Sequence, residues 1–164
     1  MAIQGEARRG DGEVPEGPRP LVAVLVGEVS LVDGDGRSWR VGGQQPQLVL
    51  AYLLLEQRTV SRDELAELLW GEDIPTHWAG AVRGVLSKVR AALQRAGVPP
   101  DLLVVEGGTV RLDGAADAIT DVHLAKAAVE RAAALLDRDA DVDDVLGPAR
   151  EATRRLAGPF LAAG

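Results

Sequence analysis

Apolar positions along this chain follow two spacings. Residues 21–32 are dense in Val and Leu, a composition that suits strands. Asp33-Gly34-Asp35-Gly36 is a tight-turn signal, because glycine supplies positive φ without steric cost. Residues 37–41 then predict a returning strand, so an antiparallel sheet is expected at the N-terminal end. After Gly42-Gly43 the spacing becomes helical, and Leu48, Leu50, Ala51, Leu54 and Leu55 predict a helix over 46–56. Thr59-Val60 reads as a short extended link. Ser61-x-x-Glu64 is a capping box that opens a second helix, with Leu65, Leu68 and Leu69 inward and a stop at Trp70-Gly71.

The strongest stripe lies over 77–95, where Val82, Leu86, Val89 and Leu93 fall on one face of a third helix. Gly97, Pro99 and Pro100 end it. Two β-prone runs, 102–105 and 109–112, flank Gly107-Gly108 and predict a hairpin. The sum is an α+β fold: a winged helix with an N-terminal antiparallel sheet, three helices and a C-terminal hairpin wing, expected to span 20–113. A short all-α segment is expected over 114–164. There Thr120 or Asp121 caps a helix running to Leu136, with Val122, Ala125, Val129, Ala132 and Leu136 inward. Residues 137–144 read as an acidic linker. Gly147-Pro148 places the start, or a kink, of the last helix. Residues 1–19, rich in Gly and Pro with few apolar groups, read as a disordered tail.

Composition narrows the function. The chain has 164 residues, 46% of them hydrophobic, but only 3% aromatic, so its core must be aliphatic. It has no cysteine, which removes disulfide and thiolate chemistry. The best apolar run, 48–55, is far shorter than the ~18 residues a membrane-spanning helix needs. No signal-peptide pattern opens the chain, so a cytoplasmic location is expected. The formal net charge of -7 opposes nucleic-acid binding, yet the charge is segregated. Between Thr76 and Val98 stand Arg83, Lys88, Arg90 and Arg95 with no acid at all. The acids gather elsewhere, as at Asp137, Asp139, Asp141, Asp143 and Asp144.

Leu68-Leu69-Trp70-Gly71 before Pro75, followed by Ala81-Val-Arg-Gly-Val-Leu-Ser-Lys-Val-Arg-Ala-Ala-Leu93, resembles the DNA-binding domain of antibiotic-pathway regulators of the SARP type. It is also similar to response-regulator winged helices of the OmpR/PhoB type. Asp121-Val-His-Leu124 and Leu156-Ala-Gly-Pro-Phe-Leu161 resemble the start of the bacterial transcriptional activation domain that follows in that family. The resemblance covers roughly 21–162. It implies a bacterial transcriptional regulator, expected to be an activator, that binds double-stranded DNA, acts through tandem or self-associated copies, and recruits RNA polymerase. Matched to the family motif, Gly84 and Lys88 occupy base-facing positions and Arg90 a backbone-facing one.

Placed at 100° steps, the outward centre of the third helix holds Gly80, Gly84, Ser87 and Ala91. Arg83 and Arg90 flank one side, and Lys88 and Arg95 the other. A major groove admits such a helix, and these cations, with Ser87 and His77, can reach phosphates or base edges. Thr109 and Arg111 on the hairpin would touch backbone or minor groove. Four cations predict a log–log salt slope of about -4 for duplex binding. Gly80 and Gly84 also make a smooth stripe on which a protein helix could pack, so the alternative is a winged helix repurposed as a protein-binding adaptor that binds no DNA.

Other chemistries fare poorly. Two distant histidines without cysteine do not make a zinc site. Asp137-x-Asp139-x-Asp141 begins like a calcium loop, but Val142 and Pro148 stand where its glycine and glutamate belong. Trp39 and Trp70 read as packing residues, and Trp78, at the start of the third helix, is open between packing and exposure. No phosphate loop, nucleophile elbow or dinucleotide fingerprint occurs, so neither an enzyme nor a cofactor is expected.

Overall fold

The computed structural model describes residues 21–114 and 118–162. The tail expected at 1–19 lies outside the described residues. Strands β1 (Val22–Val24), β2 (Ser30–Val32) and β3 (Ser38–Arg40) form the antiparallel meander. The β2–β3 turn closes on Asp33, whose Oδ1 accepts the amides of Asp35 and Arg37, both at 2.9 Å. Helix α1 (Gln44–Glu56) buries Val49, Leu50, Leu53 and Leu54. Leu48 and Leu55, expected inward, are only half-buried. Leu50, Ala51 and Leu54 of the expected pattern are buried, and Val49 and Leu53 join them in the core.

The Thr59-Val60 link contributes a strand, β4 (Val60–Ser61). Ser61 then caps α2 (Arg62–Trp70), its Oγ accepting the Glu64 amide at 3.0 Å. Helix α3 (Trp78–Arg95) follows, with Val82, Leu86, Val89 and Leu93 all at 3% exposure or less. Trp39, Trp70 and Trp78 are half-buried against this same core. The wing consists of β5 (Leu103–Glu106) and β6 (Thr109–Leu112). Its two-residue turn needs positive φ at both positions, and Gly107 (φ 54) and Gly108 (φ 83) supply it. Strand β4 pairs with β6, giving a three-stranded wing sheet of order β4-β6-β5.

The segment after the wing does not stand apart. Strand β7 (Ile119–Thr120) adds parallel to β1, so the N-terminal sheet has the order β3-β2-β1-β7. Thr120 caps α4 (Asp121–Leu136), its Oγ accepting the His123 amide at 3.0 Å. Helix α5 (Val142–Arg155) packs antiparallel on α4 through a core of Ala125, Ala128 and Ala152, whose small side chains let the helices approach closely. The chain then returns to the sheet: Gly27 N donates to Pro159 O at 2.8 Å, and Leu161 N donates to Leu25 O at 2.9 Å.

Three expectations for this helical pair are corrected. Val129 and Leu136, expected inward, are 54% and 63% exposed. Ala125 and Ala132 of the expected stripe are buried as expected, but the seam turns Ala128 rather than Val129 to α5, and Val129 and Leu136 sit on its flank. Of the two readings of Gly147-Pro148, the helix start is excluded, because α5 begins at Val142 and Pro148 stands inside it. The acidic linker is correspondingly shorter, since Asp143 and Asp144 form the first turn of α5. Negative charge is favoured there by the helix dipole, as Arg154 and Arg155 are at the other end.

Candidate nucleic-acid interface

The buried stripe of α3 fixes which residues face outward. With Val82, Leu86, Val89 and Leu93 in the core, Arg83, Gly84, Ser87, Lys88 and Arg95 are all exposed. His77, at the N-cap position, is exposed as well and makes no side-chain cap. Gly80 and Gly84 look into open space, because a Cβ placed on either would meet no atom within 4 Å. Neither α4 nor α5 covers this surface. Among the described residues no carboxylate pairs with Arg83, Lys88 or Arg95. The face is thus uncovered, cationic at its edges and smooth at its centre.

Arg90 and Arg111 are already engaged, and Arg95, though exposed, donates from Nε to Ala91 O of its own helix at 3.4 Å. Arg90 does not extend into solvent: its Nη2 donates to Leu103 O at 2.8 Å, and its Nε donates to Pro100 O at 3.4 Å. Its position explains this, since it lies only about 40° around the helix from the buried Leu86. Arg111 is exposed, but its Nε lies 2.6 Å from Asp113 Oδ1. That carboxylate raises the guanidinium pKa further and offsets its charge. Thr109 is half-buried and donates its hydroxyl hydrogen to Glu106 O at 2.8 Å.

The wing tip lies beside the start of α2, because Arg62 N donates to Gly108 O at 2.9 Å and Ser61 pairs with Thr109. Arg62 therefore stands next to Thr109 on the wing, and its side chain has no carboxylate partner among the described residues. Sequence reasoning passed over Arg62. The capping box was the available signal, since it places Arg62 at the first position of α2. Below it, Arg58 donates to Glu64 (3.1 Å to Oε2) and to the Tyr52 hydroxyl (3.0 Å), and Tyr52 in turn donates to Glu64. The Arg58 hydrogen bond, then that of Tyr52, holds the Glu64 carboxyl down at about 2. Arg58 is thereby occupied in joining α1 to α2.

Among the described residues no cluster of His, Asp or Glu could hold a metal ion, and no helix is long and apolar enough to cross a membrane.

No family model matches the chain. Over 100 residues it is 36% identical to the regulatory protein AfsR of Streptomyces coelicolor, covering 57% of this chain and 10% of that protein. Over 135 residues it is 32% identical to the regulatory protein AfsR of Streptomyces griseus, covering 76% of this chain and 13% of that one. The chain thus spans only about a tenth of the length of these curated relatives. Among solved structures, EmbR of Mycobacterium tuberculosis, determined with a low-affinity phosphopeptide, superposes with a TM-score of 0.65 at 24% identity. That match covers 88% of this chain and 37% of EmbR, and it shows a shared fold.

Proposed function

The chain is SARP-type, a transcriptional regulator by its relatives and a winged helix by its fold, and from that premise we propose that it binds double-stranded DNA sequence-specifically and activates transcription. In this reading α3 enters the major groove. Gly84 lets the helix backbone approach the base edges, Ser87 and Lys88 read them, and Arg83, Arg95 and His77 hold phosphates. Thr109 and its neighbour Arg62 meet the backbone at the wing. The winged helix of 20–113 does the binding, and the helical segment of 114–164 provides a surface for RNA polymerase or a second copy. The work is cytoplasmic and needs no enzyme chemistry.

One observation carries the reading: the α3 face is exposed across Arg83, Gly84, Ser87 and Lys88, and among the described residues no carboxylate pairs with Arg83, Lys88 or Arg95. A protein whose acids outnumber its bases by seven has kept one helix free of acid. With Arg90 and Arg111 engaged internally, three α3 cations remain. Filter binding to random duplex should therefore fall with salt at a log–log slope of about -3 from the α3 cations, and about one unit steeper with Arg62 on a phosphate. Lys88→Ala should weaken a selected site more than random duplex, whereas Arg83→Ala should weaken both alike. Absence of duplex binding at low ionic strength would overturn the proposal in favour of the protein-binding adaptor.

A further inference from the structure

We infer that Arg90 is a positioning residue that sets the wing against α3, rather than a contact to the DNA backbone. The inference rests on the DNA-binding reading for its purpose but on the fold alone for its geometry. Arg90 leaves α3 at the border between the buried stripe and the open face. Its guanidinium spans two backbone carbonyls, Pro100 O in the 3-10 turn Pro100–Leu102 and Leu103 O at the first residue of β5.

Those two carbonyls mark the root of the wing. Leu103 is 2% exposed and pairs with Leu112, so its placement sets where the two wing strands begin. From there the strands run four residues to the Gly107-Gly108 turn. The tip is held separately, by Ser61 opposite Thr109 and the Arg62 amide on Gly108 O, so a shift at the root is taken up in the strands between. Arg90 suits the root because a planar guanidinium presents several donors in a fixed fork. A lysine ammonium on its flexible stem would hold one carbonyl but not the angle between two. The Leu103 bond is partly buried and charge-assisted, so removing the donor leaves a carbonyl without its partner.

The same geometry limits what Arg90 can give to DNA. A guanidinium turned inward to Leu103 O must break that bond before it can hold a phosphate. In this assignment the free cations of α3 supply the salt-dependent attraction, and Arg90 sets the root of the wing against α3.

The test uses the whole chain with Arg90→Gln and Arg90→Lys, alongside Lys88→Ala. Two quantities are read: the salt slope for random duplex, and amide hydrogen exchange residue by residue. Arg90→Gln should leave the slope at the wild-type value while Kd rises several-fold. Exchange should accelerate at least tenfold across 103–112 and stay unchanged in the β1–β2 pair, which a general loss of stability would also expose. Arg90→Lys, which keeps the charge and most of the stem, should accelerate wing exchange in the same place. Lys88→Ala should lower the slope by about 0.9 and leave wing exchange alone. A fall of about 0.9 in the slope for Arg90→Gln with unaltered wing exchange would overturn the assignment, as would unaltered wing exchange in Arg90→Lys. If wild type binds no duplex, the DNA reading fails, and the exchange data still decide what Arg90 does.

Discussion

Leu25 and Asp121, 96 positions apart, are joined by a buried carboxylate that accepts the Leu25 amide at 2.9 Å to Oδ1 and 3.0 Å to Oδ2. The same carboxylate takes Val26 N at 2.8 Å and Val122 N at 3.0 Å. The carbonyl of Leu25 meanwhile accepts Leu161 N. One residue just after β1 therefore holds both ends of the α4–α5 pair, its N–H at the entrance and its C=O at the exit. Asp121 is only 6% exposed, so none of these bonds is readily replaced by water. Asp121→Ala should leave three backbone donors without their acceptor and cost about 2–4 kcal/mol in urea unfolding. Asp121→Asn, which keeps the shape but loses the charge, should cost less. Equal stability of wild type and Asp121→Ala would mean that the helical pair is held by its packing alone.

Gly80 and Gly84 offer a test that separates stability from recognition. Each lies within α3 with open space around it, so alanine fits and should stabilise by up to about 1 kcal/mol through helix propensity. If α3 enters a groove, the added Cβ of Gly84→Ala meets the base edges, and specific affinity should fall even as the melting temperature rises. A gain in stability with no change in DNA affinity would show that the backbone at 84 does not approach DNA.

The Arg58–Glu64–Tyr52 cluster predicts an acid dependence. Folding lowers the Glu64 carboxyl from its ordinary 4.5 to about 2, chiefly through the Arg58 hydrogen bond. A depressed carboxylate stabilises the folded chain fully above 4.5, and that contribution is lost as pH falls from about 4.5 through about 2. Wild type should thus exceed Glu64→Gln in stability at neutral pH, and the gap should close across that window. Urea midpoints measured at several pH values check it, and a gap constant from pH 7 to pH 2 would contradict the assignment.

The α4–α5 seam makes opposite predictions for neighbouring residues. Leu136→Ser, at a site 63% exposed, should change stability by no more than about 0.5 kcal/mol. Ala128→Leu forces a large side chain into a fully buried alanine contact and should cost about 1–3 kcal/mol. Thermal unfolding of the two variants distinguishes this seam from the Val129–Leu136 stripe that periodicity alone suggested.

What could be read from the residues was whatever their near neighbours decide. The α3 stripe, the Ser61 cap and the Gly107-Gly108 turn all follow from spacing within a few positions, and the structure has each of them. Exposure of Arg83, Gly84, Ser87 and Lys88 followed as well, because a buried stripe dictates the face opposite. Contacts between distant segments were not legible. Strand β7 beside β1, the Asp121 carboxylate over Leu25, and the turning of Arg90 toward Leu103 each join residues whose proximity no periodicity encodes. In α4, Ala128 and Val129 are both apolar, and only the position of α5 determined which of them was covered. Local chemistry in this protein determined the elements and the open cationic helix, and packing determined which of its charges remained free, because a charge is free only if no distant partner reaches it.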